Sequence, residues 1–208
     1  MGTKIGFVTV APTGDPSGSY NVQVAGVANA MKVTSPVGAI KVTEIGWWVD
    51  TASQEADFDV GIYTHNVGDG EPEAVVGVLS QNNAKGTTGG VWKKATGLDI
   101  PITAETIYWI AMQLDSGEAT NTDGDSVGGS GRAYKTSQTE LESPWGSSTG
   151  LLDRRMAFYA VWEAAAVGVT RKIKIGGTFQ DKPIKTKVAG TFEDKPISIK
   201  VGGTFQDA

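Results

Sequence analysis

Apolar and polar residues alternate in short runs along most of this chain, and Gly, Asp, Asn and Ser close each run. A period of two is the mark of a strand with one face buried. It predicts strands at "AMKVTS", "AIKVTEIGWWVD", "DFDVGIYTH", "AVVGVLSQ", "GVWKKATGL", "TIYWIAMQLD" and "RMAFYAVWE". In the third of these, Phe58, Val60 and Ile62 point one way and Asp57, Asp59 and Gly61 the other, so the aspartates read as a solvated face. "TIYWIAMQLD" is apolar on both faces and belongs in the middle of a sheet. No segment of useful length keeps apolar residues at helical spacing. The expected fold is therefore all-β, a jelly-roll-like antiparallel sandwich over residues 1–162. Residues 115–150, which include "DSGEATNTDGDSVGGSG", are polar and Gly-rich and read as a long exposed loop.

A different pattern begins at Ile175. The units Ile175–Lys187, Val188–Lys200 and Val201–Ala208 align without gaps, each opening on an aliphatic residue, a Gly-Gly or Ala-Gly pair and Thr-Phe. A two-residue hairpin turn needs positive φ, which glycine accepts at little cost. A turn at Gly176-Gly177 sets Ile175 opposite Thr178 and Lys174 opposite Phe179, with Asp181-Lys182-Pro183 as the return bend. Residues 163–170 read as a linker and 171–208 as a β-hairpin repeat arm. Such hairpins are too small to bury Ile173, Ile175, Phe179, Ile184, Phe192, Ile197 and Phe205 among themselves, and a lone hairpin in water is marginal. The arm therefore needs a surface, that of its own body, of a second copy or of a foreign protein. A docking arm that adds to a neighbour's sheet edge and forms a homo-oligomer is the preferred expectation, with a tail folded back on its own body as the alternative.

Charge sharpens that expectation. Residues 1–170 hold 10 Lys+Arg against 19 Asp+Glu, whereas residues 171–208 hold 8 against 4. An acidic body with a basic arm can attract a second copy head to tail, or an acidic partner surface. Nucleic acid is not an expected partner, because the arm's lysines alternate with aliphatics and no stacking platform is evident. No apolar run approaches a membrane span, and "MGTKIGFVTV" lacks the features of a secretory signal, so synthesis in the cytoplasm is expected. The chain contains no cysteine, which excludes disulfides, thiolate metal sites and a cysteine nucleophile.

The succession "AMKVTSPVGAIKVTEIGWWVD", "FDVGIYTHNVGDGEPEAVVG", "GLDIPITAETIYWIAMQLD" and "RRMAFYAVW" resembles the jelly-roll β-sandwich domains of tailed-bacteriophage virion proteins. The "KVGGTFxDKPI" units are similar to the short β-repeats that close many phage structural and fibre proteins. The resemblance implies a virion location and a non-enzymatic structural role: capsid decoration, head fibre or tail fibre, with other virion proteins as partners. It carries over no active-site residues. A carbohydrate-binding module or adhesin and a self-assembling extracellular filament subunit are the alternatives.

Candidate chemistry is sparse, and no cofactor is expected. His65, the single histidine, ends a strand, and Asp57 and Asp59 on one face lie about 7 Å apart, within the spacing of an inverting glycosidase pair. Ordinary structural roles fit both better. Asn121, Asp123 and Asp125 alternate through a Gly-containing stretch that offers calcium oxygen ligands but lacks the distal bidentate glutamate. Trp145 and Tyr134 fall in predicted loops, and Trp92 sits beside Lys93 and Lys94; these three are the aromatic candidates for stacking on a surface glycan. Trp47 and Trp48 are adjacent, so they point to opposite faces, one into the core.

Overall fold

The computed structural model describes residues 5–18, 20–52, 57–81, 90–115, 120–126, 129, 131–165, 170–175, 178–183, 186–188, 191–193, 198–201 and 204–207. They form two compact units, Met1–Ala165 and Ala166–Ala208, and among the described residues every regular element is a strand.

The first unit is an antiparallel β-sandwich, with its strands labelled in chain order. Its larger sheet contains β3 (Val27–Thr34), β6 (Phe58–His65), β7 (Pro72–Gln81), β9 (Ile107–Leu114), β11 (Arg132–Thr136) and β12 (Gly150–Leu152), in the order β12-β11-β3-β9-β6-β7. The smaller sheet contains β1 (Ile5–Val8), β4 (Ala39–Val49), β8 (Val91–Pro101) and β14 (Phe158–Ala164), in the order β1-β14-β4-β8. A third sheet has the order β13-β10-β2, from β13 (Arg154–Met156), β10 (Thr120–Ser126) and β2 (Tyr20–Gln23), and the two-residue β5 (Thr51–Ala52) also pairs with β10. The chain crosses between the two main sheets from β3 to β4, from β7 to β8 and from β8 to β9.

The alternation predicted from sequence builds the core. Tyr108, Ile110, Met112 and Leu114 of β9 and Phe58, Val60 and Ile62 of β6 join Val42, Ile45, Trp47 and Val49 of β4 and Phe158 and Ala160 of β14. Strict alternation would put Val42 and Ile45 on opposite faces. A shift in the β4–β8 register between Val42 and Glu44 turns both inward. Trp47 meets Phe58 edge-on at 5.8 Å between ring centres, a contact worth about 0.5–1.5 kcal/mol beyond the area buried.

The outer face of the larger sheet is also covered. Its floor is made of small residues, Ala28 and Ala30 of β3, Ala111 of β9, Ala133 of β11 and Gly61 of β6. Leu141 and Trp145 fill the hollow, carried there by residues 137–149, which we call the strap. A Cβ at Gly61 would stand 3.3 Å from Leu141 Cδ1 and 2.8 Å from Val78 Cγ2, so the floor must be low at that point.

Two expectations are corrected here. Residues 115–150 do not form one exposed loop: they hold β10, β11 and the strap, and β12 begins at Gly150. Asp59 is not on a solvated face. It is buried beneath the strap and accepts the backbone N–H of Leu141 at 3.1 Å. The strap is fixed further by Tyr63, whose hydroxyl donates to the Glu142 carbonyl at 2.6 Å, and by the backbone N–H of Trp145, which donates to the Glu73 carbonyl at 2.9 Å.

Candidate functional site

The second unit contains the three expected hairpins. β15 (Thr170–Ile175) pairs with β16 (Thr178–Pro183), β17 (Thr186–Val188) with β18 (Thr191–Glu193), and β19 (Ser198–Val201) with β20 (Thr204–Asp207). Their registers are equivalent. Ile175 faces Thr178, Val188 faces Thr191 and Val201 faces Thr204, while Lys174, Lys187 and Lys200 face Phe179, Phe192 and Phe205. A two-residue loop leaves no other pairing, so the Gly-Gly and Ala-Gly positions set the whole ladder. The return bend at Asp181-Lys182-Pro183 is corrected: β16 runs through Pro183, which pairs with Thr170. A proline at the outer end of a two-stranded ladder costs no bond if its nitrogen faces outward. Ile173 lies within β15, and Ile184 and Ile197 lie outside the described residues.

The aromatic residues weighed for glycan contact do not share a surface. Trp145 is 1% exposed. Its ring meets Tyr63 edge-on at 5.3 Å and its indole N–H donates to Ser148 Oγ at 3.0 Å. That overturns its reading as a free loop aromatic, because the alanine floor gives a large ring more to bury against than solvent does. Tyr134 is on β11 rather than in a loop. It is half-buried, with the Arg132 guanidinium 4.9 Å from its ring centre, and it packs so closely on Gly150 that a Cβ there would lie 2.9 Å from Cε1. Trp92 belongs to the smaller sheet, between Trp48 and Tyr159, and donates its indole N–H to the Gly14 carbonyl at 2.8 Å. Trp47 and Trp48 are both buried.

The oxygen ligands weighed for calcium lie on β10. Asn121 pairs with Gln23, Asp123 with Asn21 and Asp125 with Arg155. Alternate residues of a strand are about 7 Å apart, whereas oxygens around one calcium ion, each bound at about 2.4 Å, lie within about 5 Å of one another. Among the described residues no group of three His, Cys, Asp or Glu side chains is placed to hold a metal ion. A strand of this composition is hard to read from sequence. Its Thr122 is wholly buried and its Asp123 nearly so, held between β2 and β13 rather than by apolar alternation.

No protein-family model, curated protein or solved structure matches the chain.

Polar groups that sequence reasoning missed lie inside the body. Arg132 is 5% exposed, and its Nε and Nη2 donate to Asn29 Oδ1 at 2.9 and 2.5 Å. Burial, with Arg154 nearby, pushes the guanidinium down to about 10, and Tyr134 acts the other way. This buried cation, held by a neutral amide, ties β11 to β3.

His65, the single histidine, is set to respond near neutral pH. Its Nδ1 accepts the indole N–H of Trp109 at 3.1 Å, and an indole only donates, so that nitrogen must be unprotonated. Burial first, and then Lys32, hold the imidazole below its ordinary 6.5, against opposing effects of the Glu71 backbone and the Asp69 carboxylate. The folded state therefore binds this proton less readily than the unfolded chain. The stability the site contributes is complete above about pH 7 and is lost as pH falls through 6.5 toward the folded value. Urea midpoints measured from about pH 7.5 to about pH 5 should decline over that interval, and His65→Gln should flatten that part of the decline. An unchanged profile in the variant would assign the acid sensitivity to carboxylates.

Proposed function

We propose that this chain is a non-enzymatic structural protein of a phage-type virion surface, assembling in multiple copies through its C-terminal hairpins. The observation that carries the reading is the repetition of one register in three separate two-stranded ladders. A solitary ladder leaves an unpaired row of backbone donors and acceptors on each side, which is a template for pairing with another chain. Copying that unit extends a contact surface without enlarging a core. The basic charge of the arm against the acidic body favours a second copy as the acceptor.

The body's polar groups support the non-enzymatic part. Asp59 is spent on the strap, His65 on Trp109, and Arg132 on Asn29. Of the groups weighed for catalysis, Asp59 and His65 each make a structural bond. The resemblance to virion jelly-roll domains supplies the location.

Two measurements test the reading. Sedimentation of the intact chain should give a multiple of the protomer mass, and a chain ending at Thr170 should lose it. Equal masses would remove the arm from assembly. Immunogold labelling of extracellular particles from the source culture should decorate heads or tails at regular positions; bare particles beside labelled cells would sink the virion location.

A further inference from the structure

The strand β1 is held differently from every other strand of the body. It forms the one parallel ladder among the named strands, Ile5 to Val8 against Phe158 to Val161 of β14, at the edge of the smaller sheet. Parallel pairing is slightly weaker per residue than antiparallel. Ile5 has φ of 51° and Gly6 of 106°. A β-branched residue in the left-handed region is strained, so the docked strand is seated at a cost. The seam beside it is open as well. A groove open to solvent runs along β1, lined by Ile5, Phe7, Val33, Pro36 and Arg155. Only Phe7 of this strand packs against the main core, and it is half-exposed.

The tether matters as much as the strand. Eleven residues, 9–19, separate β1 from β2, and the described ones contain no strand. Extended, they span about 36–40 Å. Trp92 pins the tether at Gly14, and even with that bond kept, residues 9–13 reach about 16–18 Å.

We propose that β1 is an exchangeable strand, and that in assembled protein the slot on β14 is filled by β1 of a second copy of this chain. The slot's ligand is already known, because the chain's own β1 occupies it in the closed form. A neighbour's β1 makes the same bonds and places the same Phe7 against the same core. Closed and exchanged forms then differ in the tether alone, and local concentration decides between them, as in domain swapping. Strain at Ile5 and the partial exposure of Phe7 lower the barrier to release. The arm raises that concentration where it brings copies together, but the exchange does not depend on it.

Cysteine pairing tests this cleanly, since the chain has no thiol of its own. Phe7 and Ala160 are register partners. Full-length chains carrying Phe7→Cys alone and Ala160→Cys alone are mixed at high concentration, allowed to assemble, oxidised and run on a denaturing gel without reductant. Exchange predicts a cross-linked heterodimer that neither chain forms by itself. The double variant Phe7→Cys/Ala160→Cys should then give dimers and higher multiples, beside some cross-linked monomer. Cross-linked monomer alone, with no heterodimer in the mixture, overturns the proposal. So does the absence of any cross-link in the double variant, which would mean that β1 does not sit on β14. Val8→Cys with Val161→Cys, the next register pair, repeats the readout in case loss of the Phe7 ring unseats the strand.

Discussion

Replacing Trp145 with alanine will lower the stability of the body by about 3–5 kcal/mol, the range for emptying a buried large aromatic site. The ring is 1% exposed and fills the hollow over the alanine floor with Leu141, and its backbone N–H bonds to Glu73. Without the ring the strap loses its anchor, and Tyr63 loses its edge-on partner. Chemical unfolding followed by far-UV dichroism measures the loss. Limited proteolysis should cut the variant first between residues 137 and 149. A loss below about 1 kcal/mol, without new cleavage, would mean that the strap merely rests on the sheet.

The second large effect concerns a charge kept inside. Asn29→Ala will cost about 1.5–3 kcal/mol, the worth of hydrogen bonds to a charged group, because it leaves the Arg132 guanidinium buried with its main acceptor gone. Arg132→Met should be far milder, since an apolar side chain of similar length needs no acceptor. The decisive measurement is the double-mutant cycle. Once Arg132→Met is in place, the asparagine should matter by less than about 1 kcal/mol. Equal costs of Asn29→Ala with and without Arg132→Met would show that the amide packs rather than solvates.

Strands stand at all seven places expected from alternation, although "RMAFYAVWE" divides between β13 and β14 and β4 breaks its period at a register shift. The hairpin registers were legible too, since a two-residue glycine turn admits one pairing. The strap was not. "ESPWGSS" is a loop by composition and remains a loop; what buries its tryptophan is a floor of alanines contributed by the adjoining β11 and by β3 and β9, which are distant in the chain. A signal was present in "VANAM" and "RAY", where small residues fall at one parity while larger ones keep the other. That asymmetry marks a face that must leave room for something. β10 gave no such signal, because its residues are polar and backbone ladders hold it between its neighbours. β1 was hidden for another reason: four residues pairing in parallel across most of the body leave no local trace.

The hairpins carry one more consequence. Each ladder closes on residues only a few positions apart, so it forms from local contacts alone, on the scale of microseconds. The body must join strands as distant as β1 and β14 and is correspondingly slower. Duplicating or deleting one thirteen-residue unit therefore leaves every remaining register and the folding of the body untouched. Arm length is a quantity that recombination can change in whole steps, a ruler graduated in hairpins.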